Sequence, residues 1–291
     1  MYQSKHFTLE KIKEGIYAAI VTEYGGGIGN AGIIDLGDQT VIFDTFNTPQ
    51  AARDLRKAAE VLIGNPVSYV VNSHWHGDHI RGNQSFEDCK IISTVHTREL
   101  MEEIHPPRIK QQQQTIDQLI EYIQTLEQEP SPQKDVISQL KEIKETLPQL
   151  KLVLPDIVFD KQYSIKGSKR EVQLITYGGG HTKSDAFLYV PTEQVIFMGD
   201  LLVIQNHPMI GDGSPTEWIE ILEKISKLSF HIAVPGHGPI GVKDDLNKLK
   251  QYLVDLFDLP SEIPNKYSLW NHSEHFSSNI EFLKTYRSSL L

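Results

Sequence analysis

The sequence has only one cysteine, Cys89, in 291 residues, and it has no excess of positive charge. A single cysteine excludes an intrachain disulfide. The 28 lysines and arginines are outnumbered by 38 aspartates and glutamates, which gives a net charge of −10 at pH 7. Proteins that grip the phosphate backbone need clustered Lys and Arg, and the sequence shows no such stripe. We therefore expect no nucleic-acid partner.

Long apolar runs are also missing. No run approaches the length of a membrane span, and the N-terminal MYQSKHFTLEKIKEG lacks the apolar core of a signal peptide. The initiator Met1 also argues against a secreted precursor. These features predict a cytoplasmic protein without a membrane partner. The 39% of hydrophobic and 23% of charged residues lie in the ordinary globular range, which disfavours wholesale disorder.

The first third of the chain combines β-patterned runs with one clear helix. Residues 16–24, AGIIDLG and TVIFDT are predicted strands, and Asp38-Gln39 joins the last two as a hairpin. Thr48 is a predicted N-cap, with Pro49 at the start of a helix through AARDLRKAAEVLI. The runs SYVVN and KIISTV predict further strands.

The remaining chain shows a helical insertion and then a second β-rich part. Apolar residues recur at helical spacing over 116–123 and 136–147, which predicts an antiparallel helical pair inserted at 97–150. We expect the apolar face of this helical pair to pack against the main body. A lid over a pocket and a homodimer interface are the alternatives. Strands are predicted at EVQLITY, FLYVP, QVIFMGD and HIAVPG, and helices at DDLNKLKQYLVDLF and, behind a capping box at Ser214, at WIEILEKISKL.

The segment NSHWHGDH, residues 72–79, contains three histidines and an aspartate directly after a predicted apolar strand. In an extended segment, residues i and i+2 point to the same side, so His74 and His76 can hold one ion together. Asp78 and His79 follow the bend at Gly77 and can reach a second ion. The alternative is a polar loop whose histidines bond to their neighbours. Neutral imidazole and carboxylate are ligands that suit Zn²⁺.

Three later residues share this local setting. His181 follows LITY and three glycines, Asp200 ends QVIFMGD, and His237 lies in PGHG after an apolar run. Glycine allows backbone loops to approach closely. Polar groups at several strand ends are what a site at one rim of a sheet requires. His6, His96, His105, His231, His272 and His275 lack this setting and are interpreted as ordinary surface or core histidines.

The series H-W-H-G-D-H at 74–79, then His181, Asp200 and His237, resembles the ligand series of the metallo-β-lactamase superfamily. The resemblance implies one α/β domain over 1–291, an αββα sandwich with two facing mixed β-sheets flanked by helices. It further implies that Asp200 bridges two divalent metal ions, zinc preferred and Mn²⁺ or Fe²⁺ as alternatives. The first ion would be held by His74, His76 and His181, and the second by Asp78, His79 and His237.

The resemblance implies a hydrolase in which a hydroxide between the two ions attacks a small ester, thioester or lactone. Asp78 would orient that hydroxide as the catalytic carboxylate. His76 stands where flavodiiron oxidoreductases typically carry glutamate, which disfavours that branch. Asp200 stands where true zinc β-lactamases carry cysteine or serine, which argues against antibiotic hydrolysis as the native role.

Other features of the sequence carry weaker predictions. His207 and Tyr177 are candidate substrate-binding residues, because each lies close in sequence to a predicted ligand. Cys89 is interpreted as a packed thiol. The sequence G-x-G-x-x-G at 27–32 is not followed by a helical pattern, so a dinucleotide site is rejected and a mobile loop near a sheet rim is expected.

Two other classes of function remain open. An iron-dependent oxidoreductase, such as a sulfur-compound dioxygenase, could use the same scaffold. A non-catalytic protein stabilised by metal is the other alternative, but structural zinc sites are usually closed and rich in thiolate, unlike this set.

Overall fold

The computed structural model describes residues 2–289. The N-terminal part forms a mixed sheet of seven strands in sequential order, antiparallel from β1 to β4 and parallel from β4 to β7. The strands are β1 (Phe7–Lys13), β2 (Ile16–Val21), β3 (Ala31–Asp35), β4 (Thr40–Phe43), β5 (Val67–Val71), β6 (Lys90–Thr94) and β7 (Ile157–Phe159). The helices of this part are α1 (Pro49–Ile63), α2 (Gly77–Ile80), α3 (Val95–Gln114), α4 (Ile116–Glu127) and α5 (Lys134–Thr146).

The C-terminal part forms a second mixed sheet of five strands in the order β12-β11-β10-β9-β8, with β11 and β12 parallel. The elements are β8 (Gln162–Lys166), β9 (Glu171–Gly178), β10 (Asp185–Val190), β11 (Val195–Phe197), α6 (Pro215–Ser226), β12 (Ile232–Val234), α7 (Lys243–Phe257) and α8 (Glu274–Ser289). The chain divides into two compact units, 1–159 with 166–171 and 160–165 with 172–291. The predicted single domain over 1–291 stays a prediction, and its ends lie outside the described residues.

The helix-start signals of the sequence are present in the structure. The Thr48 side chain accepts a hydrogen bond from the backbone of Ala51, and Pro49 occupies the first turn of α1. At α6 the Ser214 hydroxyl accepts from the Glu217 backbone, but the Ser214 N–H donates to the carbonyl of Gly180. The cap of α6 therefore also ties the helix to the glycine loop that precedes His181.

The helical insertion is larger than the predicted pair. The two runs of helical spacing, at 116–123 and 136–147, form α4 and α5, as predicted, and these helices contact each other. A third helix, α3, precedes them and contains Pro106 and Pro107. Its sequence has no amphipathic period and holds two helix-disfavouring residues, so local patterning does not reveal it. Burial of Met101 and His105 stabilises it instead.

Each unit has its own buried apolar core. In the first, the inner face of α1 packs on the sheet, where Ala51, Leu55 and Ile42 are fully buried. In the second, α6, α7 and α8 contribute Trp218, Tyr252 and Leu283 to one cluster. No helix within residues 2–289 is long and apolar enough to cross a membrane.

Cys89 lies in the first core, 5% exposed, and its thiol donates to the carbonyl oxygen of Val67 at 3.2 Å. Burial raises the pKa of this thiol to about 11. Because the thiolate is the reactive form, we expect iodoacetamide at pH 8 to modify the native protein at least about a hundredfold more slowly than an exposed thiol. Mass spectrometry checks this, with the guanidinium-unfolded chain as control. Equal rates in the two states would contradict the packing of Cys89.

Candidate metal centre

The histidine-rich segment begins where β5 ends, at Val71, and runs into the short helix α2. His76 is the N-cap of α2 and has an extended backbone, as predicted for the segment. The rings of His74 and His76 lie 4.7 Å apart, and those of His74 and His79 lie 4.4 Å apart, between centroids. Three imidazoles therefore share one small volume, because the chain turns back at Gly77.

The carboxylate of Asp44 organises this segment. Asp44 directly follows the strand β4, is fully buried, and has a left-handed backbone with φ of 59°. Its oxygens accept hydrogen bonds from the Ser73 N–H at 2.8 Å, the Ser73 hydroxyl at 2.8 Å and His79 Nδ1 at 2.9 Å. Burial raises the pKa of Asp44, and the contacts with His79 and Ser73 oppose that rise.

These bonds determine which nitrogen of each ring can bind a metal. Because Asp44 accepts from His79 Nδ1, the lone pair of His79 is on Nε2, which lies 3.3 Å from Asp78 Oδ2. The Ser73 hydroxyl gives its proton to Asp44 and so accepts from His74 Nδ1, at 2.9 Å. Nε2 of His74 is likewise the nitrogen that can bind a metal. Partners of this kind fix the tautomer of a ligating histidine.

A second set of candidate ligands lies on the loops of the five-stranded sheet. His181 follows β9, Asp200 lies in a 3₁₀ turn directly after β11, and His237 follows β12. Asp200 Oδ2 lies 3.2 Å from His181 Nε2 and 3.3 Å from His237 Nε2. One carboxylate therefore faces two imidazole nitrogens, which is the arrangement expected of a ligand shared between two ions.

Gly236 and Asp185 make this second arrangement possible. A Cβ at Gly236 would stand 1.9 Å from Asp200 Oδ1, so only glycine allows this approach. The carboxylate of Asp185 accepts from the N–H groups of Gly180 and Thr182 and from the Thr182 hydroxyl. These bonds hold the loop that carries His181, whose ring contacts Trp218 at 5.3 Å between centroids.

Three groups of described side chains have ligating atoms within 4.8 Å of one another and can therefore hold a metal ion. The groups are His74, His76, His181 and Asp200; Asp78, His79 and His237; and His272, Glu274 and His275. The first two groups contain all seven predicted ligands. Imidazole and carboxylate donors without thiolate fit Zn²⁺, Mn²⁺ or Fe²⁺. The residues present therefore fit a divalent metal, and their individual roles stay predictions.

The chain matches the sequence model of the metallo-beta-lactamase superfamily over residues 24–237. It belongs to the metallo-β-lactamase superfamily. The type 2 metallo-beta-lactamase of Bacteroides fragilis is 29% identical over 105 residues, which are 34% of this chain and 42% of that relative. The chain thus matches less than half the length of this curated relative.

Solved structures of the same superfamily share the fold. A metallo-beta-lactamase from Pontibacter korlensis has a TM-score of 0.64 at 17% identity, over 86% of this chain and 99% of that one. TMB-1 has a TM-score of 0.62 at 15% identity, over 86% of this chain and 98% of that one. The predicted αββα fold class of two mixed sheets with flanking helices is confirmed by this superfamily likeness.

The two candidate substrate residues differ in exposure. His207 is 1% exposed, its Nδ1 lies 2.8 Å from the Tyr252 hydroxyl, and Trp270 packs against its ring. Tyr177 is 37% exposed on β9 and packs against Phe187. A buried imidazole among rings has an evident packing role, whereas Tyr177 is accessible. Their contact with a substrate stays a prediction.

The glycine loop at 25–30 is more tightly held than predicted for a mobile loop. It continues into the strand β3 and not into a helix, as the β-patterned sequence after it indicates. Gly25 and Gly27 are buried, and the carbonyl of Gly27 accepts from the backbone of Asn47. A Cβ at Gly29 would stand 2.7 Å from the ring of His79. The loop therefore lies against a candidate ligand, and glycine is required there for the close approach.

His105, which the sequence suggested was ordinary, supports the ligand segment. It extends from α3, is 2% exposed, and its Nε2 donates to the carbonyl of Trp75 at 2.7 Å. Trp75 is the residue between His74 and His76, and its side chain is buried. His105 is thus a positioning residue for the backbone that carries two candidate ligands.

The buried state of His105 predicts acid sensitivity. Burial lowers the pKa of His105 to about 4, although its bond to Trp75 opposes the shift. The unfolded chain binds this proton below pH 6.5 and the folded chain only near pH 4. The contribution of His105 to the free energy of unfolding is therefore fully present above pH 6.5. It falls by about 3 kcal/mol as the pH drops from 6.5 to 4.

The free energy of unfolding, measured by urea titration across this pH range, checks the prediction. His105→Gln keeps a donor for the Trp75 carbonyl but has no proton to gain, so its stability should decline less steeply between pH 6.5 and 4. Parallel declines in the wild type and the variant would contradict a buried neutral His105.

Proposed function

We propose that the protein is a metal-dependent hydrolase with two divalent ions, zinc preferred, that cleaves a small ester, thioester or lactone. The observation that carries the proposal is the donor set: two groups of imidazole and carboxylate ligands, seven residues in all, in a member of the metallo-β-lactamase superfamily. In this proposal His74, His76 and His181 hold one ion, Asp78, His79 and His237 hold the other, and Asp200 serves both.

Such a pair of ions, when bound, supplies an activated water and polarises the acyl oxygen of the substrate. The residues of the chain determine where this chemistry takes place. Asp44 and Ser73 hold His79 and His74 in the tautomers whose lone pair is on Nε2, the nitrogen that would ligate. The carboxylate of Asp78, half-buried beside His79, would accept a proton and orient the attacking water.

The partial exposure of three ligands supports a catalytic rather than a purely structural role. His76, Asp78 and His237 are partly exposed, whereas His74, His79, His181 and Asp200 are buried. A structural zinc site is normally closed and four-coordinate, and a catalytic one keeps a position open to water or substrate. The proposed partner is accordingly a small-molecule substrate. The cytoplasm is the proposed location, as expected from the sequence.

Metal analysis combined with a substrate screen tests the proposal. We expect about two equivalents of divalent metal per chain, and turnover of at least one member of an ester, thioester and lactone panel. Phosphodiester, sulfate-ester and β-lactam substrates belong in the same screen, because they separate related hydrolase classes. One equivalent of tightly held iron, with oxygen consumption on a persulfide and no hydrolysis, would overturn the proposal in favour of a dioxygenase.

A further inference from the structure

A third group of metal-ligating side chains lies where the chain enters α8. His272, Glu274 and His275 place one ligating atom each within 4.8 Å of the others. The imidazole rings of His272 and His275 stack nearly parallel, with centroids 5.4 Å apart and an angle of 13°. Two imidazoles and one carboxylate, all from four consecutive residues, therefore face a common point at the protein surface.

Hydrogen bonds determine the tautomer of one imidazole and leave it ready to bind a metal. Nδ1 of His275 lies 2.9 Å from the carbonyl oxygen of His207. A carbonyl only accepts, so Nδ1 carries the proton and Nε2 carries the lone pair. A backbone carbonyl that receives the other N–H is a common partner of a metal-ligating histidine. Nδ1 of His272 lies 3.2 Å from Glu274 Oε1, which joins the remaining two donors.

The backbone around the cluster is held in place by the preceding chain. The N–H of Asn271 donates to the carbonyl of Gln205, and the N–H of His207 donates to the carbonyl of Asn271. His272 then takes a left-handed conformation with φ of 59°, which returns its ring toward His275. The donors are therefore presented by a segment that is fixed on both sides, which lowers the entropic cost of assembling them around an ion.

An ordinary surface ion pair explains less of this arrangement. One His–Glu pair would account for His272 and Glu274, and the bond to the His207 carbonyl holds His275, but neither explains why the two rings stack nearly parallel. The charge balance also allows a cation: two neutral imidazoles and one carboxylate leave a net negative site, which offsets the positive end of α8. The site has only three protein donors, and two of them are exposed. It should therefore bind its ion with lower affinity than the two more buried ligand groups would.

We propose that His272, Glu274 and His275 form a surface site for a divalent transition-metal ion, distinct from the proposed hydrolytic centre. Water would complete the coordination. An ion there would join the residues before and after the start of α8, whose Phe276 and Leu283 pack in the core. Binding would therefore stabilise the docking of this C-terminal helix. This proposal does not depend on the proposed hydrolysis.

Zinc binding measured by equilibrium dialysis and elemental analysis tests the site. The probe is Zn²⁺ itself, added to protein that already holds its tightly bound metal. We expect the wild type to bind one further equivalent, and His272→Ala or His275→Ala to weaken that step by about tenfold or more. Glu274→Gln should weaken it as well. His96→Ala is the matched control, since exposed His96 pairs with Glu99 but belongs to none of the three-donor groups among the described residues.

A thermal melt gives a second, independent measurement. Added zinc should raise the melting temperature of the wild type and of His96→Ala, and should leave that of His275→Ala unchanged. Circular dichroism before zinc addition establishes that each variant is folded. The proposal would be overturned if the wild type bound no zinc beyond its tightly bound metal, even at millimolar zinc. So would a further equivalent that persists unchanged in both histidine variants.

Discussion

Replacing Asp200 by alanine is expected to remove at least one equivalent of bound metal and to lower hydrolytic turnover by at least about a hundredfold. The reason is that Asp200 Oδ2 faces both His181 and His237, at 3.2 Å and 3.3 Å, so in the proposed function this single side chain would serve both ions. His76→Ala should have a comparable effect, because it removes one of three imidazoles from the proposed first ion. Elemental analysis and steady-state kinetics on the substrate found in the screen measure both effects.

The fold should survive these two substitutions. Asp200 and His76 lie on turns that follow strands rather than in the apolar cores, so their loss leaves the packing of the sheets intact. Far-UV circular dichroism should match the wild type. Asp117→Ala, which removes an exposed carboxylate on α4, serves as the matched control and should keep both metal and turnover. Full activity in the Asp200 and His76 variants would refute the ligand assignments.

Replacing Asp44 by alanine is expected to destabilise the protein by about 3–5 kcal/mol and to weaken metal binding as well. Alanine would leave three donors without their acceptor: the N–H and hydroxyl of Ser73, and Nδ1–H of His79. It would also occupy a left-handed backbone with φ of 59°, which is unfavourable for a residue without a short polar side chain. Urea unfolding of the metal-free protein measures the loss of stability.

Asp44→Asn separates the two roles of this residue. Asparagine tolerates the left-handed backbone and keeps one acceptor oxygen, so the loss of stability should be smaller than with alanine. It lacks the charge that strengthens the bond to His79 Nδ1, and metal affinity should still fall by about 10–100-fold. An alanine variant that unfolds at the wild-type urea concentration and binds metal normally would show that Asp44 does not organise the segment.

Much of the fold follows from local patterns. The hairpin of β3 and β4, the Thr48-Pro49 start of α1 and the α4–α5 pair are predictable because each depends on residues close together in the sequence. The helix α3 is not predictable in this way. Its prolines argue against a helix, and what stabilises it includes the buried bond from His105 to Trp75, thirty positions away.

The candidate ligands could be read from the sequence because each follows an apolar strand beside glycine. Asp44 shows a related signal, since TVIFDT ends a strand in a carboxylate much as QVIFMGD does. Its partners are 29 and 35 positions away, so its role as an organiser rather than a ligand became evident only in three dimensions. Asp185 and His105 gave no comparable signal, because their importance depends on which backbone groups they face.

The sequence by itself determined the types of donor in this protein and the strand ends that carry them, since spacing along the chain controls which side chains share one face of a segment. Only the tertiary structure decided which nitrogen of His74 and of His79 is available, because that depends on the buried acceptor Asp44 and on Ser73. It also decided that His272 and His275 lie stacked beside Glu274. A tautomer and a ring orientation are set by hydrogen bonds between distant residues, and no local pattern specifies those.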